Sequence, residues 1–385
     1  MNLDLIRFST HLKLLERKDS AVSLSVVALI PAYKEEETIG ATIEALLNQD
    51  RVPDAIVVIP NGCPDRTPEI VRDYVSRDSR IVSYELPKLE HKKPQALNLA
   101  WNKFDYVREA DIVICLDGDT VLPANAIGDW EREFQVTAKL GGSSSKFTML
   151  GGDFLTRLQR SEFAKWTDTA LRRGYTTVLA GTGCAISGQA LREVVATTNR
   201  FGPWSYDSQV EDFELTYQIR KLGYSCRVSP TVRAYTDSMK ELNSLWNQRM
   251  KWQVGTVEDL LSIGVNRLTL VDWYQQAVGL LMAFVRILWV VLIVLQISIG
   301  IFHFSMLWWL IIPIVFAVGE GLMTFRIPHR DRWDVVYGFA IFPQEIFATL
   351  RSGWFLAAWA SVLLSKITGR RKDRWSLQYA AEAKV

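Results

Sequence analysis

Residues 112–120 read Ile-Val-Ile-Cys-Leu-Asp-Gly-Asp-Thr. Ile112 to Leu116 form an unbroken apolar run, the pattern of a parallel strand covered on both faces. Asp117-Gly118-Asp119 ends that run. In an open α/β sheet, ligands bind beyond the carboxyl ends of the strands. Two carboxylates one residue apart on that rim can hold a divalent cation through oxygen and leave room for phosphate oxygens. Gly118 lets the backbone come close to whatever is bound. Asp and Gly also make ordinary strand-end turns, so the surrounding chain has to decide.

Upstream, strands and helices alternate. Leu24–Ile30 reads as a strand that runs into Pro31-Ala32-Tyr33-Lys34-Glu35-Glu36-Glu37, and Thr38–Asn48 as a helix with Ile39, Ile43, Leu46 and Leu47 at helical spacing. Ala55–Ile59 is a second strand, leading into Asn61-Gly62-Cys63-Pro64-Asp65. Thr67-Pro68 then reads as a capped helix start. Ile81–Tyr84 is a short third strand, and a helix opens at Lys92-Lys93-Pro94. This βαβ spacing predicts a mostly parallel, Rossmann-like sheet with right-handed crossovers. Tyr33, Asn61 and Asp117 would then share one rim.

Beyond Val121 the pattern loosens. Gly141-Gly142-Ser143-Ser144-Ser145 reads as a loop and Phe154–Ala170 as a helix. Thr177–Ser187 reads as strand, glycine loop, strand. Val210–Leu222 reads as a helix whose start, Ser208-x-x-Glu211, fits a capping box. Arg227–Tyr235 is a last strand, and Glu241–Leu261 a helix rich in Trp and basic residues.

Composition separates the chain into two solvents. Of 385 residues, 49% are hydrophobic and 22% charged, and 14 are Trp; the apolar excess lies after Val271. Val278–Ile301, broken by Arg286, and Met306–Phe325, broken by Glu320, are each close to the roughly 20 residues that span a bilayer. Arg286 could snorkel or mark the true start of its span. Val335–Lys366 is apolar but divided by Pro343, Glu345 and Arg351, and reads as a short hairpin of two spans, as one span, or as an interfacial helix plus one span. Basic residues at Arg326–Arg332 and in the tail Gly369–Arg374 place both on the cytoplasmic side. Residues 1–22 are charged, carry no signal-peptide core, and could form an amphipathic helix. The expected organisation is an N-terminal amphipathic segment (1–22), a cytoplasmic catalytic domain (23–262) and a membrane region with a basic tail (263–385). A net charge of +2 gives no reason to expect nucleic acid as a partner. The four cysteines form no Cys-x-x-Cys pair, which fits a reducing compartment.

Taken together, these motifs resemble the membrane-associated, inverting family 2 glycosyltransferases, the group of cellulose, chitin and hyaluronan synthases, over roughly Ser23–Trp252. The resemblance implies a GT-A type nucleotide-sugar-binding domain followed by C-terminal transmembrane helices. Pro31, Tyr33 and Glu35 would line the base pocket. Asn61 stands where the family has an acidic residue, so a UDP-sugar is expected less firmly than by an exact match. Lys93 would meet the diphosphate. Asp119, with Asp117, would hold Mg2+ or Mn2+. Gly181-Thr182-Gly183-Cys184 is similar to a glycine loop facing the acceptor, which assigns Gly183 and Cys184 to acceptor binding. In Val210-Glu211-Asp212, Asp212 would be the general base and Glu211 would lie beside the acceptor. Gln248-Arg249-Met250-Lys251-Trp252 is similar to Gln-x-x-Arg-Trp, with Lys251 in place of Arg. Gln248, Arg249, Lys251 and Trp252 would meet the acceptor.

The implied activity is transfer of a sugar from a nucleoside-diphosphate sugar to a glycan or lipid-linked acceptor with β linkage, at the cell (inner) membrane. Processive synthesis and single transfer both stay open, and polymerisation through so small a membrane region would call for an oligomer. The competing class is a non-catalytic nucleotide-sugar-binding membrane protein or a nucleotidyltransferase.

Overall fold

The computed structural model describes residues 23–301, 311–370 and 372–382. The expected helix in 1–22 and the first part of the span at 306–325 lie outside them. Seven strands form one sheet: β1 (Val26–Ala32), β2 (Ala55–Pro60), β3 (Ile81–Ser83), β4 (Ile112–Cys115), β5 (Leu140–Met149), β6 (Cys184–Ser187) and β7 (Ser225–Thr236). Their order is β3-β2-β1-β4-β6-β5-β7. The pairings β1–β2, β1–β4, β2–β3 and β5–β7 are parallel, and β6 alone runs against its neighbours β4 and β5. Both faces of the central strands are covered. Val27, Leu29 and Val113 pack into one apolar cluster, and Val26, Ala28, Ile30 and Ile114 into the other. That is why these strands read as continuous apolar runs rather than as alternation. Truncating a wholly buried member such as Ile30 to Ala would cost about 2–5 kcal/mol, the transfer loss plus the cavity left behind.

Helices α1 (Ile39–Leu47), α2 (Thr67–Arg77), α3 (Lys92–Lys103) and the short α4 (Asp105–Glu109) connect the first four strands. Then come α5 (Ala126–Val136), α6 (Phe154–Arg173), α7 (Gly188–Thr198), α8 (Glu211–Lys221) and α9 (Leu242–Ile263). Register brings the functional ends together. Leu29 lies beside Cys115 and Ala32 beside Pro60, so the residues after β1, β2 and β4 emerge on one rim. Because β6 is reversed and Cys115 faces Cys184, the loop entering β6 reaches that rim too, as does the end of β7.

Four local expectations are corrected. Gly141–Ser145 is buried strand within β5, not loop. A Cβ on Gly141 would lie 2.3 Å from Ile219, and one on Gly142 2.3 Å from Leu179, so the small residues answer crowding rather than flexibility. Thr177–Ala180 is not a strand. Its backbone bonds to a side chain instead of a ladder, with Leu179 N donating to Thr216 Oγ1 at 2.8 Å. The Thr67 hydroxyl does not cap its helix; it donates to Asp65 and accepts from Glu35 N at 2.8 Å. The Ser208 hydroxyl likewise makes no capping box, because it donates to Asp259 at 2.7 Å and accepts from Val210 N.

The apolar C-terminal part comprises α10 (Leu270–Ser298), α11 (Ile311–Thr324), α12 (Arg332–Phe339), α13 (Ile341–Thr368) and α14 (Arg374–Glu382). Two of these, α10 and α13, with 29 and 28 residues, are long and apolar enough to cross a membrane. At about 1.5 Å per residue each exceeds the roughly 30 Å hydrocarbon core. Val335–Lys366 is therefore one short helix and one continuous long one, not a hairpin of two spans. Pro343 sits in the first turn of α13, where its missing N–H costs little. The Arg286 guanidinium is paired with Glu345 of α13. Glu320 is held by Lys165 at 2.6 Å, and Asp334 by Arg160 at 3.0 Å. Side chains of α6 thus tie α11 and α12 to the sheet domain.

Candidate active site

A cavity of about 1190 Å³ opens on the rim. Pro31, Tyr33, Glu35, Asn61, Lys93, Asp117 and Asp119 lie on its wall, and so do Glu211, Asp212, Gln248, Arg249, Lys251 and Trp252. Residues separated by more than 200 positions meet there because β1, β2, β4 and β7 end at the same edge, while α8 begins and α9 crosses opposite them.

The loops after β1 and β2 are laced together. Glu36 N donates to Asp65 Oδ2 at 3.2 Å, and Arg66 N donates to Glu36 Oε2 at 3.0 Å. Asp65 therefore holds the turn and is not on the cavity wall. Asn61 is buried, and its Oδ1 accepts from Leu89 N at 3.2 Å. One lone pair of that oxygen is thereby used within the protein. Gly62 is obligatory here: its φ is +61°, and a Cβ would lie 2.6 Å from the Lys88 backbone. Gly118 has a packing reason as well, since a Cβ would press on Glu35 Cγ at 2.8 Å. Its carbonyl accepts from Thr42 Oγ1 at 2.9 Å.

Lys93 stands between the two acidic groups. Its Nζ is 2.5 Å from Asp117 Oδ1 and 3.7 Å from Glu211 Oε1. Burial alone would depress the ammonium, but the Asp117 and Glu211 carboxylates outweigh it, and the pKa is raised. A Cβ on Gly181 would come within 2.5 Å of Nζ, so glycine there makes room for the lysine. Asp212, at the first turn of α8, accepts from Phe213 N at 2.8 Å. Burial, then the neighbouring Glu211 charge, pushes it up to about 6. Such a carboxylate is a competent proton acceptor near neutral pH. Asp119 is likewise pushed up to about 6, first by burial and then by Asp117. Thr236 Oγ1 donates to both of its oxygens at 3.2 Å.

That paired acidic charge is the condition a divalent cation relieves. Among the described residues no group of three or more His, Cys, Asp or Glu is placed to hold a metal alone. The residues present fit a cation that takes Asp119 and Asp117 from the protein and completes its shell with water and substrate oxygens.

On the acceptor side two expected residues are displaced. Cys184 is buried in the sheet, 1% exposed, with Sγ toward Leu179 O. Gly183 packs against Ser145, Leu116 and Ala234. Neither is on the cavity wall, because Cys184 opens β6 and Gly183 leads directly into it; Gly181 and Thr182 line the wall instead. Arg249 is buried in an ion pair with Glu162 at 3.0 Å, with its guanidinium 4.5 Å from the Trp252 ring. Lys251 Nζ lies 3.4 Å from the centre of the Trp375 ring.

Several wall residues escaped the sequence reading. Asp237 follows β7, and its charge acts on Asp119. Trp375, Gln378 and Tyr379 of α14 also line the cavity, with Tyr379 4.8 Å from Tyr33, ring to ring. Asp373, just before that helix, pairs with Lys92 at 2.7 Å. The spacing of Trp375 and Tyr379, one helical turn apart in a basic tail, is the signal that could have marked this segment.

Family profiles and known proteins give the class to which the chain belongs. The profile described as glycosyl transferase family group 2 matches residues 112–321, more than half of the chain, and that described as glycosyl transferase family 2 matches residues 27–188. The chain belongs to the family 2 glycosyltransferases and is a glycosyltransferase of GT-A-like α/β fold. It is similar to the poly-beta-1,6-N-acetyl-D-glucosamine synthase of Staphylococcus epidermidis (26% identity over 235 residues, 60% of this chain and 55% of that protein). A synthase of the same name from Staphylococcus aureus is 26% identical over 237 residues, 61% and 55% of the two chains. The chain thus matches about half the length of these curated relatives. Among solved structures, a mannosyltransferase from Pyrobaculum calidifontis in complex with GDP-Man and Mn2+ has the same fold (TM-score 0.56, 15% identity, 94% of this chain and 95% of that one).

Proposed function

We propose that the protein is a membrane-bound, inverting glycosyltransferase that moves a sugar from a nucleoside-diphosphate sugar, UDP-linked in the first instance, onto a glycan acceptor with β linkage. Residues 23–262 are the catalytic unit. Residues 263–385 are the membrane region, with the catalytic unit on the cytoplasmic side of the cell membrane. The observation that carries this reading is that Asp117 and Asp119 on one wall, and Asp212 on the other, open into one cavity.

In this reading Tyr33 and Asn61 bind the base, and Lys93 places positive charge beside the diphosphate. Mg2+ or Mn2+, held by Asp119 and Asp117, supplies neutralisation of the charge that builds on the leaving diphosphate. Asp212 accepts the proton of the acceptor hydroxyl as that oxygen attacks the anomeric carbon. The sugar–phosphate bond breaks on the opposite side, so an α-linked donor yields a β product. The exposed apolar side chains of α10, among them Leu281, Phe284 and Val291, support a lipid environment. The name of the Staphylococcus epidermidis relative, a poly-beta-1,6-N-acetyl-D-glucosamine synthase, supports a glycan product.

The test is a screen of UDP-, GDP-, CDP- and dTDP-sugars with the purified full-length protein, with and without Mn2+, reading released nucleoside diphosphate and sizing the product. Metal-dependent release that is lost in Asp212→Asn supports the assignment. Full turnover in Asp212→Asn, or none with any donor, sinks it.

A further inference from the structure

Helix α13 ends at Thr368, and the chain turns on Gly369, whose φ is +68° with nothing within 4 Å of where a Cβ would stand. After that turn α14 runs back over the mouth of the cavity and touches both of its sides. On the donor side, the Tyr379 ring lies 4.8 Å from that of Tyr33, and Asp373 and Ser376 meet the Lys92 ammonium at 2.7 and 3.1 Å. On the other side, Arg374 N donates to Gln209 Oε1 at 3.3 Å, and the Trp375 ring covers Lys251. Lys92 adjoins Lys93, and Gln209 immediately precedes Val210-Glu211-Asp212. A helix of nine residues is too short to hold its shape alone in water, so these contacts are what keep α14 formed.

The contact with Tyr33 excludes a ligand. Two rings that hold a flat base between them stand about 7 Å apart, twice the roughly 3.5 Å of van der Waals contact. At 4.8 Å the Tyr33 and Tyr379 rings touch each other instead. The contact with Lys92 acts on charge. Asp373 neutralises the ammonium next to the one assigned to the diphosphate. That ion pair is open to displacement, because the Asp373 side chain is 57% exposed and an exposed pair is screened by water and salt. Asp373 and Tyr379 lie about 9 Å apart along the helix. An aromatic ring and an acidic group at such a separation are also the two features by which a nucleoside diphosphate is recognised.

We propose that α14 is an intramolecular nucleotide mimic. It occupies the donor mouth in the resting protein, with Tyr379 in place of a base on Tyr33 and Asp373 in place of phosphate charge at Lys92. The nucleoside-diphosphate sugar displaces it, the chain swinging about Gly369. Apparent donor affinity is then reduced by the fraction of molecules in which the helix is seated. The proposal rests on the donor-site assignment of Tyr33 and Lys93 and adds to it a competitor built into the chain.

The experiment measures binding of UDP, and in parallel GDP, to the full-length protein with Mn2+ by calorimetry. Tyr379→Ala and Asp373→Asn should each tighten the nucleotide that binds by about three- to tenfold. Tyr379→Phe, which keeps the ring, should match the wild type. Trypsin reads the helix itself: Arg374 is buried while α14 is seated, so cleavage after it should quicken when the nucleotide is added. Unchanged or weaker binding in Tyr379→Ala, or cleavage slowed by the nucleotide, would overturn the proposal and make α14 a wall that completes the donor site. Binding of neither nucleotide to the wild type or to either opening variant would remove the donor-site assignment, and the mimic with it.

Discussion

The Lys93 ammonium lies 2.5 Å from Asp117 Oδ1 and 3.7 Å from Glu211 Oε1, so one half-buried cation joins the strand-end rim to the acidic start of α8. Removing it leaves carboxylates uncompensated on both sides. Lys93→Met should lower kcat by about 10²-fold or more, the scale of losing a preorganised charge from a reaction centre. Because Lys93 also holds the Asp212 pKa down, the acid limb of the pH–rate profile should move to higher pH in this variant. Steady-state kinetics across pH 5–8 in Lys93→Met and Lys93→Arg measure both effects, and an unmoved acid limb would count against the electrostatic link.

Activity should depend on ionised Asp212. With its pKa at about 6, kcat/KM is expected to level off above that pH and to fall about tenfold per unit below it. Asp212→Asn should lose about 10²–10⁴-fold in rate while still binding nucleotide. Nucleotide affinity by calorimetry, beside the rate, tells loss of the base from loss of the fold.

Stability carries the opposite signature. The folded-state pKa of Asp212 lies above its ordinary 3.8, so between the two the folded protein holds more proton than the unfolded chain. The contribution is complete below pH 3.8 and disappears as pH rises through about 6. Nucleotide- and metal-free wild type should therefore lose on the order of 2 kcal/mol more than Asp212→Asn does over that interval. Denaturant midpoints of the two proteins at pH 4.5 and 6.5 measure this difference.

Metal should couple to the same charges. Mn2+ is expected to raise the Tm of the wild type and to leave that of Asp119→Asn nearly unchanged, and chelation should abolish turnover in the wild type. Reducing the acidic charge at Asp119 removes the reason for a cation to bind there. Thermal melts with and without Mn2+ decide the point, and equal stabilisation of both proteins would contradict it.

Among the apolar helices, Arg286 and Glu345 are each other's charge partner. Breaking a buried pair from one side costs about 3–5 kcal/mol, whereas replacing both members costs little. Arg286→Leu should melt well below wild type in detergent, and the double variant Arg286→Leu with Glu345→Leu should recover most of the difference. Additive losses would mean the pair is not a unit.

Some of this was legible in the chain and some was not, for reasons visible at particular residues. The parallel strands were readable because burial on both faces demands uninterrupted Val, Ile and Leu. The rim residues were readable because strand ends are where Asp, Asn and Gly interrupt those runs. Gly141–Ser145 misled because small residues mark flexible loops and crowded strands alike; the neighbours Ile219 and Leu179 tell the two apart, and they lie far away in sequence. Ser208 and Thr67 misled because a hydroxyl that can cap a helix was taken by Asp259 and by Asp65. Cys184 misled by one or two residues, the distance between a loop and the strand it enters.

From local pattern alone, this protein was determined to carry a mostly parallel α/β sheet, carboxylates at its edge and an apolar C-terminal part, because each depends on residues within a few positions of one another. Only the tertiary structure decided which side chains share a cavity. It brought Lys93 between Asp117 and Glu211, set the Arg249 guanidinium over the rings of both Trp166 and Trp252, and folded Trp375 and Tyr379 back beside Lys251 and Tyr33. Those contacts follow from strand order and helix packing, which join distant parts of the chain and leave no periodic trace within any one of them.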